Sequence, residues 1–557
     1  VTFTPTAILI AGNTGVAGAA VGWTDGSSKT ATADSTGAYQ ISVSYQWTGT
    51  VTPSKAGFTF TPASMHYTNV LTDQSNQNYT ATAITYTISG NAGVAGASVS
   101  WGDGVVRTET ADSLGDYSLV VSYNWSGTVT PSKTGYTFTP AAFNYVNVLA
   151  HHPAQNFTAE RIVITLSGNA GVGGAVLAWT DTTAKSVTAD SIGAYVIPVS
   201  YGWSGSVTPS KTGYTFAPDH HSYANVVANE ASQNFTAGGI VFMITGNAGA
   251  AGVTLSWTDS TAKSITADST GAYAIPVSYE WSGTVTPSKT GFTFTPADTS
   301  YSHILANQPM KNFTATPFVV VNLKVFLAGP YSAGSMSTAL NTLGLIPLTS
   351  QTAYAAATYG YTAKVVPAIP APTIVDWVLV ELRTGTAAAT KTAIQAAFLK
   401  SNGTIVDTNG TSPLTYHGIP SGQYYIVVRH RNHLPVMTAA LLALNASGDQ
   451  YDFTTAQEKA YGTNAMFALT GGGFGLIAGD VTGNKNVKYA GAANDRSALL
   501  LAVGAADPTV PLNGYVNSDV NLDGKAKFTG SNNDNTVILR SVGMADPTVT
   551  VTSQVPN

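Results

Sequence analysis

The chain has 557 residues, a net charge of −5, no cysteine, and only 10% charged against 44% hydrophobic residues. Disulfides and thiolate metal sites are therefore excluded, no apolar run reaches the ~18 residues of a membrane span, and the lack of a basic run argues against nucleic acid as a partner. Hydrophobic content is ordinary, so the chain reads as folded, with solvent-facing positions filled by Ser, Thr, Asn, Gln, Gly and Ala in place of charge.

The first segment, Val1-Thr2-Phe3-Thr4, has no Met and no basic leader, and reads as the start of a mature or trimmed product. It falls in the register of Tyr79-Thr80-Ala81-Thr82, the end of a repeating unit. Such a strand is expected to add to the edge of a neighbouring subunit and give head-to-tail growth of a homo-oligomer; the plainer reading is a leftover linker. The unit itself recurs every 78 residues: Gly12-Asn13, Gly90-Asn91, Gly168-Asn169 and Gly246-Asn247. The same register carries Trp23, Trp101, Trp179 and Trp257, then Trp47, Trp125, Trp203 and Trp281, and a Pro-Ser-Lys at Lys55, Lys133, Lys211 and Lys289. A fixed period of this kind marks one small domain in tandem copies, here 1–83, 84–161, 162–239 and 240–317.

Within the second copy, Ile84–Ile88 alternates and is β-rich, so a strand is predicted, followed by a turn at Gly90-Asn91-Ala92-Gly93. Ala97–Trp101 is a second strand, and Gly102-Asp103-Gly104 a hairpin signal. Thr108–Ala111 leads into the turn Asp112-Ser113-Leu114-Gly115. Tyr117–Val121, Trp125–Pro131, Tyr136–Pro140 and Gln155–Thr158 complete roughly seven short strands punctuated by Gly and Pro, the pattern of a β-sandwich. Ser-Gly-Asn-Ala-Gly-Val-Ala-Gly-Ala near the start, Thr-Ala-Asp-Ser-x-Gly-x-Tyr in the middle and Ser-Lys-Thr-Gly-Tyr-Thr-Phe-Thr-Pro later resemble the transthyretin-like and carboxypeptidase-regulatory-like Ig-type modules of bacterial surface proteins, over about residues 6–317. That resemblance implies non-catalytic spacers or binding modules.

Four repeat features invite a functional reading. The paired tryptophans would suit stacking on sugar rings, but large aromatics at fixed register more often fill a sandwich core. Asp34, Asp112, Asp190 and Asp268 would suit an ion, but each precedes a glycine by three residues, which indicates an Asx turn. The following Ser35, Ser113, Ser191 and Ser269 resemble the Asp-Ser-(Thr, Leu or Ile) O-glycosylation acceptor of some bacterial systems. Lys55 with Asn78, and Lys133 with Asn156, resemble isopeptide cross-linked pilin-type modules, although a Lys before a glycine turn is expected to be exposed.

Beyond Thr316 the period stops. Val319–Leu327, Ile374–Leu382, Gln395–Leu399 and Tyr424–His430 are predicted strands of a larger β-sandwich over 318–474. Ile-Val-Asp-Trp-Val-Leu-Val-Glu-Leu-Arg and Val-Arg-His-Arg-Asn-His-Leu resemble a block of large secreted bacterial repeat proteins that precedes a calcium-binding terminus. His430 and His433 with Arg429 and Arg431 form the densest titratable cluster. Without a nucleophile or further ligands in sequence, it reads as a strand end with solvated or carboxylate-paired side chains.

Residues 475–557 hold a second repeat, of period 39. Asp480, Thr482, Asn484, Asn486 and Asp495 align with Asp519, Asn521, Asp523, Lys525 and Asp534. Oxygen side chains at loop positions 1, 3 and 5 with Gly524 at position 6 form the front of an EF-hand calcium loop, because Ca²⁺ takes six to eight hard oxygen ligands that alternate residues of a tight loop can supply. Helix-like stretches follow at Asp495–Val503 and Asp534–Val542. The pair resembles a dockerin, which implies calcium as cofactor. It departs from the motif in that the closing acid falls at position 16, and the first loop has Lys485 for the glycine and Asn484 for an acid. The bland alternative is a pair of Asx-rich turns capping helices.

The fold expected is thus mainly β: tandem Ig-like β-sandwiches, a larger β-sandwich, and a small loop-helix dockerin-like module. The function expected is a secreted, non-enzymatic structural protein of a bacterial surface, a subunit of an extracellular filament or sheet. The alternatives are an adhesin stalk bearing a cell-surface ligand site, and a carbohydrate-binding or cellulosome-like scaffold with a glycan ligand. No nucleophile elbow, zinc motif or P-loop marks an enzyme.

Overall fold

The computed structural model describes residues 7–557. With 48% of residues in strands and 7% in helices, the chain is mainly β, as its alternation indicates. It divides after Ile240 into two compact units.

The first unit contains three modules of one design. In the first, β1 (Ile8–Asn13), β2 (Ala20–Asp25), β3 (Ser27–Thr32), β4 (Ala38–Val43), β5 (Trp47–Ser54), β6 (Phe58–Thr61), β7 (Met65–Val70) and β8 (Thr80–Ala83) follow in order. One layer is the four-stranded sheet β3-β2-β5-β7; β4 pairs with β1, and β6 with β8. Between β7 and β8 the chain runs parallel to β1, with Ala11 N donating to Gln74 O at 2.8 Å and Gln77 N to Ala11 O at 3.1 Å. That closing segment joins the second layer together. Ile10, Val21, Ile41, Trp47 and Val51 fill the core between the layers.

The Gly-Asn register marks this crossing. A Cβ on Gly12 would lie 2.0 Å from the Gln77 carbonyl oxygen, and one on Gly168 would lie 2.1 Å from that of Gln233. Only glycine lets the closing segment pass over the end of β1. The neighbouring Asn13 then pins three stretches at once. Its N–H donates to Asn78 Oδ1 (2.8 Å), its Nδ2 to Thr36 O (2.9 Å), and its Oδ1 accepts from Gly15 N (2.7 Å).

The second module shows where pattern reading falls short. Gly90-Asn91 ends the strand Thr85–Asn91, and the turn begins only after it. Val105–Thr110 is a strand that the alternation does not reveal, because all six of its residues are exposed at the sheet edge. Phe143–Val148 is another, and the closing strand is Thr158–Arg161, beyond Gln155–Thr158.

Modules of the first unit meet without a flexible linker. Ile84 alone separates β8 from Thr85–Asn91. Its N–H donates to Gly57 O (2.8 Å), and its carbonyl accepts from Tyr123 N (3.1 Å). Gly57 has φ +82°, and the Tyr123 ring lies against it, 3.2 Å from where a Cβ would stand. Ile162, Gly135 and Tyr201 repeat the joint.

In the second unit the fourth module does not end at its closing strand. Thr314–Lys324 pairs with Phe292–Thr295 through its first half and with Leu414–His417, Thr404–Val406 and Gln450–Asp452 through its second. The sheet continues through Thr404–Val406, Lys391–Lys400, Ile374–Arg383, Gly422–His430 and His433–Met437. All ten residues of Ile374–Arg383 are buried. The terminal segment adds the helices Asp495–Val503 and Asp534–Val542, at the bounds the sequence indicates, each capped by an asparagine (Asn494, Asn533).

Gly168→Ala is expected to destabilise its module by about 1–3 kcal/mol, the usual range for overpacking. In calorimetry of the whole chain, one module should unfold ahead of the rest; an unchanged profile would count against the crossing as the constraint.

Candidate metal-binding loops and a buried polar centre

The repeat features that suggest chemistry are engaged in structure. Trp101, Trp179 and Trp257 are 8%, 6% and 5% exposed, and Trp47, Trp125, Trp203 and Trp281 are each 6% exposed. The second set also donate through Nε1 to backbone oxygens, as Trp47 does to Thr24 O at 2.9 Å. Trp23 is half-buried against its core, so seven of the eight repeat indoles are closed to a sugar. At about 25 cal/mol per Å² and roughly 200 Å² per ring, each contributes on the order of 5 kcal/mol to its core. Asp34 Oδ1 accepts from Thr36 N (2.8 Å) and Ala38 N (2.9 Å), and Asp112, Asp190 and Asp268 do the same two and four residues on. These are Asx turns. Ser35, Ser113, Ser191 and Ser269 stand exposed at the turn tips.

Lys55, Lys133, Lys211 and Lys289 donate to the carbonyls of Ala17, Ala95, Gly173 and Ala251, each over an aromatic ring. The terminal asparagines bind elsewhere, Asn78 to Asn13 N and Asn156 to Asn91 N, both at 2.8 Å, so lysine and asparagine hold different partners. Val1–Thr4 lie outside the described residues.

The two candidate loops share one construction. Asp480 Oδ1 accepts from Asn484 N (3.0 Å) and its Oδ2 from Lys485 N (2.9 Å). Asp519 Oδ1 accepts from Asp523 N (3.2 Å) and its Oδ2 from Gly524 N (2.9 Å). The closing acids reach back across each loop: Asp495 accepts from Thr482 N (3.1 Å) and Lys488 N (2.9 Å), Asp534 from Asn521 N (3.1 Å) and Lys527 N (2.8 Å). Asn484 Oδ1 accepts from Asn486 N (2.9 Å), and Asp523 Oδ1 from Lys525 N (3.0 Å), which leaves the Asn486 and Lys525 carbonyls as the position-7 donors. Lys485 takes φ +67° where Gly524 has +83°, so the first loop keeps the turn despite the substitution.

Asp480, Asp495, Asp519 and Asp534 are all buried. Burial, and then the facing Asp495, push the Asp480 carboxyl up to about 6. Burial raises Asp495 as well. Burial raises Asp519 to about 6, and burial with Asp519 opposite raises Asp534 to about 7. Two buried carboxyls facing each other, with mainly backbone N–H groups and the Thr482 hydroxyl donating to them, are an environment that a hard cation relieves. Among the described residues no group of three or more His, Asp or Glu is arranged to hold a metal ion by itself. Asp523, the third acid of the second loop, pairs with Lys527 Nζ at 3.2 Å. A cation there therefore depends on the Asn, Thr and carbonyl oxygens as well.

His430, Arg431 and His433 lie beside these loops, and they are buried rather than solvated. Their carboxylate is Asp376, inside the apolar strand. It accepts from Arg431 Nε (2.9 Å), His430 Nε2 (3.1 Å), Tyr515 OH (2.6 Å) and Trp377 N (2.8 Å). Burial works against its charge, but Arg431 and His430 outweigh it and hold the carboxyl down at about 2. Gly329 N donates to His433 Nε2 (3.2 Å), so the His433 proton sits on Nδ1, facing Asn432 Oδ1 (2.8 Å). His430 Nδ1 then accepts, 3.0 Å from His433 Nδ1. Both rings are neutral. Burial lowers His430 although Asp376 partly opposes it, and burial lowers His433 further, with His430 and Arg431 adding.

Asp376, Tyr515 and Asn432 are the residues that sequence reading missed. The one signal was a lone acid in an apolar run, Ile374-Val375-Asp376-Trp377-Val378, which demands a buried partner.

No protein-family model matches the chain, and no curated protein does. Among solved structures, the chain is similar to the Bacillus anthracis TIE protein, at 10% identity over 56% of this chain and 69% of that one, with a TM-score of 0.35. It is similar to a streptococcal ancillary pilin at 11% identity, over 41% and 99%, with a TM-score of 0.21. For BcpA, the major pilin subunit of Bacillus cereus, the figures are 7%, 66% and 98%, with a TM-score of 0.13. Similarity at this level defines neither the fold nor the function of this chain.

The neutral His430 and His433 give a pH dependence. Their folded pKa values lie below the ~6.5 of an unfolded histidine, so their contribution is complete above that value and is lost as pH falls through it. With calcium in excess, the melting temperature of the second unit should fall from about pH 7 to about pH 5. A His430→Gln, His433→Gln double variant should show a flatter profile; the same slope would remove these histidines as the cause.

Proposed function

We propose that the chain is a non-enzymatic structural protein of a bacterial surface. Stiff tandem modules carry a calcium-bound terminal module and pack against copies of the same chain. The single observation that carries this reading is the module joint. One residue, Ile84 or Ile162, is held by hydrogen bonds to both sides with a tyrosine ring packed on the adjoining glycine. A linker with no free residue transmits orientation from module to module, which a spacer needs and an independent binding module does not.

The outward face of the four-stranded sheet supports packing between copies. On β5 the outward residues are Thr48, Thr50, Thr52 and Ser54, and the equivalent strands show Ser126, Thr128, Thr130 and Ser132, or Ser204, Ser206, Thr208 and Ser210. A row of neutral hydroxyls presents no charge repulsion to a second copy. Head-to-tail growth through Val1–Thr4 has less support, because β6 and its three equivalents are already paired with closing strands. The carbohydrate-binding reading loses most of its platforms, since seven of the eight repeat indoles lie in the cores and Trp23 alone among them is half-exposed.

Negative-stain images of native material should show laterally ordered filaments or sheets. Isolated particles with constant module spacing would favour the adhesin stalk instead, and modules that bend freely at Ile84 and Ile162 would sink the stiff-spacer reading.

In the terminal module calcium would be held by Asp480, Thr482, Asn484, the Asn486 carbonyl and Asp495, and by Asp519, Asn521, Asp523, the Lys525 carbonyl and Asp534. A bound divalent cation supplies the positive charge that each buried carboxylate pair lacks. Removing calcium with EDTA should lower the melting temperature of this module by several degrees. Calcium at one hundred times its Kd contributes about 2.7 kcal/mol per site. Identical melting with and without EDTA would refute calcium binding.

A further inference from the structure

We propose that Asn432 is the positioning residue that couples the two loops to each other and to the sandwich. This rests on the calcium reading. Calcium bound in one loop then raises the affinity of the other and locks the terminal module in place.

Asn432 occupies the hairpin between Gly422–His430 and His433–Met437, and it is fully buried. Its carbonyl accepts from Gly479 N (3.0 Å) and from Asp480 N (3.2 Å), the first ligand position of loop one. Its Nδ2 donates to Asn517 O (3.1 Å) and to Asp519 O (2.7 Å), the first ligand position of loop two. One residue of the sandwich thus holds the leading acid of both loops. Its own orientation is fixed, because Asn432 Oδ1 faces the protonated His433 Nδ1 at 2.8 Å. Arg431 secures the same hairpin, bonding Val516 O at 2.5 Å and stacking on the Tyr515 ring at 4.2 Å.

Packing follows the same path. Leu522, at position 4 of loop two, is buried in the core of the sandwich, where it adopts φ +57°. A Cβ on Gly524 would sit 2.7 Å from Leu343, which brings that turn against the sandwich. In the opposite direction, Leu434 of the hairpin belongs to the core of the terminal module with Ile477, Val487, Leu499, Val520 and Ile538. A loop that moves its leading acid must therefore move Asn432, and with it the other loop. Two sites that bias one shared element are coupled, and the coupling is reciprocal.

The test is calcium titration calorimetry on the full chain as wild type, Asp534→Asn, Asn432→Ala and the double variant. Asp534→Asn silences loop two, and loop one should then bind calcium about 5-fold to 100-fold more weakly, the usual range of coupling between sites. In the Asn432→Ala background the same change should leave loop one unaltered. Equal affinity of loop one in wild type and Asp534→Asn, or coupling that persists in full without Asn432, would overturn the proposal. Should Asn432→Ala not fold, hydrogen exchange of the wild type decides: calcium should slow the amides of 429–434 together with those of both loops. Slowing confined to the loops overturns the coupling and leaves calcium binding intact. No response to calcium in either measurement overturns the calcium reading itself, and the coupling with it.

Discussion

The passage of a closing segment across a glycine at the end of β1 is the constraint on which the tandem array depends. Gln74–Tyr79 runs parallel to β1, and only a residue without Cβ lets the Gln77 carbonyl come so near Gly12. Because the segment runs parallel, it leaves the sandwich at the end opposite to its entry and pairs there, as β8, with β6. The chain is then one residue from the first strand of the next copy. Repetition of Gly-Asn at an unvarying interval therefore follows from geometry. An insertion in the closing segment would displace both the crossing and the joint. The asparagine beside the glycine adds the bonds that make this arrangement specific, since it ties β1 to the turn after β3 and to the closing segment at once.

In the second unit charge inside the fold takes over that role. Asp376 and Glu381 lie on one strand whose every residue is buried. Asp376 has Arg431 and His430; Glu381 has Arg383 Nε at 2.5 Å and Arg429 Nε at 3.2 Å. Desolvating such groups costs several kcal/mol each, and an ion pair returns only part of it, so their net contribution to stability is small. What they do supply is register. A slip of one residue between Ile374–Arg383 and Gly422–His430 would part Asp376 from His430 and Arg431 and take Arg429 from Glu381, leaving it only Arg383 of its own strand, which is far less favourable than a slip in an apolar pair.

Sequence and structure agree where burial is one-sided. Strands such as Tyr117–Val121 alternate because one face meets the core, and their bounds were legible to within a residue. The helices Asp495–Val503 and Asp534–Val542 were legible because an asparagine cap and a duplicated loop fix their starts. Val105–Thr110 was not, since an edge strand exposed throughout carries no hydrophobic period. Among site residues, the loop ligands follow from local spacing and could be named. The partners of His430 and Arg431 could not, because Asp376 and Tyr515 lie 54 and 84 residues away from them and meet only through the fold.

The two halves of the terminal module have diverged in what holds them. Loop two carries the additional acid Asp523 and the unstrained Gly524, and it is inserted into the sandwich through Leu522. Loop one has neutral Asn484 and a lysine in a left-handed conformation, which costs roughly 1 kcal/mol against glycine. It is held from the other side: Thr550–Thr552 pairs with Asn486–Lys488, and Ser553 N donates to Lys485 O at 2.9 Å. The segment beyond returns to the sandwich, where Val555 packs with Val427 and Met437, and Pro556 O accepts from Arg383 Nη1 at 2.9 Å. Both loops are thereby referred to the same pair of strands, loop two through the Asn432 hairpin and loop one through that hairpin and the residues that follow the loop. A pull on the terminal module would meet two attachments in parallel, joined at the Asn432 hairpin, and neither half could release without disturbing the buried charges that set the register of the sandwich.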